Sequence, residues 1–89
     1  MADRYLVLVP GMREEELEVD LEKAGASESC WLQDDLALAV TQQTRSRFYH
    51  AIKRQIGKQQ PLLVAPLASA PKFKGMAEGS TKWVRQHIR

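Results

Sequence analysis

Tyr5-Leu6-Val7-Leu8-Val9, stopped by Pro10-Gly11, is the stretch that decides the fold. A strand with one wet face alternates apolar and polar residues; this one does not, so it reads as a strand buried on both faces. Such a strand belongs inside a sheet. The rest of the chain must then supply neighbouring strands and at least one helical layer.

Working outward, Arg13-Glu14-Glu15-Glu16 precedes Leu17, Leu21 and Ala24, spaced i, i+4 and i+7. That spacing predicts a helix over 12–24, with glutamates in the first turn, where the helix dipole favours them, and Gly25 as a left-handed stop. Its outer face carries Glu14, Glu15, Glu18 and Glu22, which read as solvated charge rather than a metal or acid–base site. Next, Glu28-Ser29-Cys30-Trp31-Leu32-Gln33 and Leu36-Ala37-Leu38-Ala39-Val40-Thr41 flank Asp34-Asp35 and predict a hairpin, since Asp suits a tight turn. Leu36, Leu38 and Val40 share one face of the second arm. Ala37 and Ala39 share the other, which implies close cover there or a sheet edge. Trp31 reads as core or interface. Cys30 has no neighbouring His or Lys in sequence and reads as an inert thiol.

After a polar link, Thr44 or Ser46 caps a second helix in which Phe48, Ala51, Ile52, Gln55 and Ile56 keep the helical period up to Gly57. Its other face carries Arg45, Arg47, His50, Lys53, Arg54 and Lys58, with Tyr49 among them. His50 reads as a surface histidine. Pro61-Leu62-Leu63-Val64-Ala65-Pro66-Leu67 predicts a short strand at a sheet edge, because proline cannot donate to a ladder. A loop with Lys72, Phe73 and Lys74 leads to a closing helix. There Ser80 is the expected N-cap and Trp83, Val84, His87 and Ile88 line one face. Gly75-Met76-Ala77-Glu78-Gly79-Ser80-Thr81-Lys82 is not a phosphate loop: that motif needs Lys directly after the second glycine, then Ser or Thr.

The 89 residues make one domain, 1–89, with a formal net charge of +2. That total conceals a split. Residues 1–43 hold ten carboxylates against three cations, a net of −7; residues 44–89 hold ten cations against Glu78, a net of +9. Such asymmetry points either to an acidic helix beside a basic one or to an anionic partner. No apolar run approaches the ~18–20 residues that span a bilayer, so no membrane segment is expected. The N-terminus lacks the pattern of a signal peptide. A single cysteine excludes an internal disulfide and fits a reducing cytoplasm.

The expected order is strand, helix, strand, strand, helix, strand, then a further helix. It predicts a ferredoxin-like βαββαβ sandwich: a four-stranded antiparallel sheet with the first two helices on one face. The other face then needs the closing helix or a second copy of the chain, with a homodimer preferred. This layout, with the closing Trp83-Val84-Arg85-Gln86-His87-Ile88, resembles the small SinR-like and VapD-like proteins. These are grouped with the CRISPR-associated spacer-acquisition nuclease subunits. The resemblance implies a homodimer and, in some members, nucleic-acid binding or metal-dependent nuclease action. The nuclease members carry an acidic residue at the end of the first strand. Here that place is Val9-Pro10-Gly11, so a nuclease would lack its metal anchor.

Three functions follow. The first is a non-enzymatic, dimeric interaction or regulatory module that binds a protein. The second is a nucleic-acid binder using Arg45, Arg47, Lys53, Arg54, Lys58, Lys72, Lys74, Lys82 and Arg85. The third is a degenerate metal-dependent nuclease. No catalytic set, metal site or cofactor is expected.

Overall fold

The apolar run forms the central strand its composition demands. In the computed structural model of the chain, which describes residues 2–11 and 18–88, β1 spans Asp3–Leu8. Strands β2 (Ala26–Gln33) and β3 (Leu36–Thr41) form the hairpin, and β4 spans Leu63–Pro66; the helices are α1 (Arg45–Lys53) and α2 (Ser80–His87). The sheet has the order β2-β3-β1-β4 and every pairing is antiparallel. The result is a small α+β fold compatible with a ferredoxin-like layout.

Strand alternation sends β1 and β3 into two separate cores. Tyr5, Val7 and Val9 join Ala37 and Ala39 on one face, under Phe48 and Ile52 of α1. Leu6 joins Leu36, Leu38 and Val40 on the other, under Val84 of α2 and Ile88 just after it. The alanines answer the question their size raised: β3 is central, and they make room for α1. Phe48 is fully buried and its ring lies 5.7 Å from that of Tyr5. Burying a side chain of this kind stabilises by about 1.5–3 kcal/mol.

The two described helices therefore lie on opposite faces of the sheet, α1 on the first and α2 on the second. The apolar second face, which raised the expectation of a partner copy, is covered by the chain's own last helix. Its start also departs from expectation. Gly79, at φ 87°, holds the N-cap position, and Ser80 is the first helical residue. The Ser80 hydroxyl turns back to donate to the Ala77 carbonyl at 2.6 Å instead of capping.

The helix expected over 12–24 needs correction where it can be followed; its first part, 12–17, lies outside the described residues. Residues 18–20 have no regular structure and 21–25 form a turn. Among the described residues one helical bond, Ala24 N–H to the Asp20 carbonyl at 3.2 Å, is followed by Gly25 at φ 111°. Asp20 organises the turn. Its carboxylate accepts from the Lys23 N–H at 3.0 Å, which is how Asp starts a turn. Its main chain is also tied to α1's end: Gln55 Oε1 accepts from the Asp20 N–H at 2.7 Å, and Gln55 Nε2 donates to the Asp20 carbonyl at 2.9 Å. Val19, Leu21 and Ala24 still bury themselves in the first core.

Local chemistry sets the remaining boundaries. Thr44 caps α1 by accepting from the Arg47 N–H at 3.2 Å. Asp34 and Asp35 make the two-residue turn between β2 and β3, and the Asp35 carbonyl accepts from the Val9 N–H at 2.8 Å. β4 is an edge strand, as its flanking prolines required.

Candidate functional site

The absence of a helix over residues 18–24 leaves a gap beside β2. An open groove of about 640 Å³ runs there, between residues 18–22 and the face of β2 that carries Ser29, Trp31 and Gln33. Ser29 and Trp31 are alternate residues and share a face; a register irregularity between Trp31 and Gln33 precedes the third. Val19 and Leu21 supply apolar wall, and Ala77 and Asp34 complete the lining. Trp31 is half-buried and packs against the first core, so its ring is held and still reaches the groove. Glu18, Asp20, Glu22 and Asp34 bring negative charge, and no cation is among the described lining residues.

Two anchors hold the walls. The Gln55 side chain grips the Asp20 main chain, as described. Ala77 N–H donates to the Leu32 carbonyl at 2.7 Å and pins the loop before α2 to the end of β2. On the far side of that loop the Cys30 thiol lies 3.8 Å from Ser80 Oγ, within the second core. Among the described residues no three of His, Cys, Asp and Glu converge as metal ligands do, so the groove carboxylates form a rim rather than a cage.

The nine cations expected to share a nucleic-acid surface are all exposed, but the fold divides them between the two faces of the sheet. Arg45, Arg47 and Lys53 lie on α1, with Arg54 at its C-cap and Lys58 in the following turn. Lys82 and Arg85 lie on α2, with Lys72 and Lys74 in the loop before it. Within the first group, Lys53 and Lys58 meet Tyr49 around a cleft of about 200 Å³. Within the second, Lys72 and Arg85 meet Phe73 around a cleft of about 400 Å³. Arg47, Arg54, Lys74 and Lys82 line neither. Arg45 lies near enough to Tyr5 to act on its phenol. Burial, aided by the charge of Asp3 and opposed by that of Arg45, holds the phenol above its usual range. Both histidines sit on aromatic neighbours: His50 lies 5.1 Å from the Tyr49 ring and His87 4.8 Å from the Trp83 ring.

Sequence reasoning singled out Trp31 but not the groove it serves. Gln55 carried the one available signal: a polar amide just past the end of α1, between the apolar Ile52 and Ile56, needs a partner. Among the described residues no helix is long and apolar enough to cross a membrane. No known family, no curated protein and no solved structure matches the chain.

Proposed function

We propose that this chain is a non-enzymatic interaction module that binds a protein partner through the groove beside β2, and that the contacting part of the partner is basic. The observation that carries the reading is a held, half-buried Trp31 on an apolar wall, surrounded by Glu18, Asp20, Glu22 and Asp34 with no cation among the described lining. An aromatic anchor inside a charged rim is the usual arrangement of an interaction hot spot. A homodimer is not needed, since α2 already covers the sheet face that called for one. A nuclease is not favoured either: at the end of β1 the side chain is that of fully buried Val9, and the Pro10 carbonyl accepts from Gln60 Nε2 at 2.7 Å.

Affinity capture with the full chain, compared across variants, tests the proposal. A partner held by the wild type should be lost by Glu18→Lys/Glu22→Lys and kept by Arg47→Glu/Arg54→Glu. Undiminished recovery with the first pair refutes it.

The placement of Lys53, Lys58 and Tyr49 around one cleft favours a second reading, in which α1 and its following turn bind phosphates. Retention of random DNA and RNA at two salt concentrations tests this, because phosphate contacts weaken duplex binding with a log–log slope near −0.9 each. Absence of retention at low salt removes it.

A further inference from the structure

We infer that the partner enters the groove as an added strand: an extended, basic segment hydrogen-bonded to the outer edge of β2 between Glu28 and Trp31. This rests on the interaction-module reading above.

β2 is an edge strand of eight residues and contains no proline. The chain secures both of its ends. Ala26 N–H donates to the Leu21 carbonyl at 2.9 Å, and the Leu32 carbonyl accepts from Ala77 at 2.7 Å. Between them, no other main-chain bond from the described residues reaches the outer edge of 27–31. The register is irregular between Ala26 and Glu28 and between Trp31 and Gln33, so the regular stretch is 28–31, a docking rail of roughly 14 Å. The opposite edge contrasts with this. β4 has four residues, ends on Pro66 and follows Pro61, so it is blunted against addition.

Charge chooses the occupant. Glu28 is exposed within the rail, and Glu18, Asp20 and Glu22 stand across the groove. A second copy of this chain paired β2 to β2 would set these carboxylates against their own kind, which opposes self-association at this edge. A strand bearing Lys or Arg would answer them. Alternate side chains of the added strand would face the groove where Ser29, Trp31 and Gln33 point, an apolar one resting on the indole and basic ones reaching the rim.

The probe is a nine-residue peptide alternating lysine and valine, titrated to millimolar concentration into the isotope-labelled full chain and followed by amide NMR. Controls are the same peptide N-methylated at every second residue, in both phases, and a glutamate–valine counterpart. The expected result is shifts at the amides of 27–31 and at the Trp31 indole. At least tenfold weaker binding is expected for one N-methylated phase, and no response to the acidic peptide. If both N-methylated phases bind as well as the parent while the groove still shifts, strand addition is wrong and the groove reading stands. If the parent leaves residues 18–34 unmoved, or the acidic peptide shifts them equally, both are wrong.

Discussion

Gln55→Ala tests whether one side chain sets the shape of the groove. The native amide makes two hydrogen bonds to the main chain of Asp20, at 2.7 and 2.9 Å, across 35 positions of sequence. Both bonds are solvent-accessible, so each contributes at the lower end of the usual range, and the pair about 1–2 kcal/mol. For a domain of this size that loss lowers the Tm by roughly 4–16 °C. Ala24 and Val19 remain apolar, so the segment stays attached to the first core but loses its fixed course. The assay pairs urea unfolding with hydrogen exchange at the Asp20 amide. The midpoint should fall, and exchange at Asp20 should speed up more than exchange in β1 or β3. An unchanged midpoint with unchanged Asp20 exchange in Gln55→Ala would refute the claim that this amide holds the wall.

The second core gives a larger effect: Ile88→Ala empties a fully buried site under the sheet and should cost about 2–5 kcal/mol, read by denaturant unfolding. Gly25→Ala places a Cβ against the Gln43 side-chain amide at a backbone φ of 111°, and should destabilise by about 1–3 kcal/mol, measured in the same way. Tyr5 bears on alkaline stability. Its folded pKa lies above the ordinary 10.0, so above pH 10 the unfolded chain releases a proton that the folded chain keeps, and stability falls as pH rises. Tyr5→Phe should flatten that alkaline arm in unfolding curves taken across pH 9–12, whatever its effect at neutral pH.

Most of the sheet was legible because its signals are local. The unbroken apolar run of β1, the Asp34-Asp35 turn and the prolines around β4 each act within a few residues, and each element lies where they put it. Thr44 and Phe48 likewise announce α1. What could not be read depends on distant partners. The spacing of Leu21 and Ala24 is helical, yet their segment is a turn, started by the Asp20 carboxylate and tied to a side chain 35 residues away. Ser80 has the chemistry of a cap, but Gly79, at φ 87°, takes the N-cap position and leaves Ser80 inside the first turn. The cations of the second half form one group in sequence and two in space, since α1 and α2 approach the sheet from opposite sides. The groove has no signature in any single stretch: its two walls, residues 18–22 and β2 with Ala77, are brought together only by the fold.

The cover of the second face comes from Val84 and Ile88, among the last of the described residues. During synthesis all four strands leave the ribosome before their seal does. Leu6, Leu38 and Val40 therefore spend that interval as bare adhesive surface, open to chaperones or to neighbouring nascent chains. The hazard of clumping is greatest while the protein is being made and ends when its final helix docks.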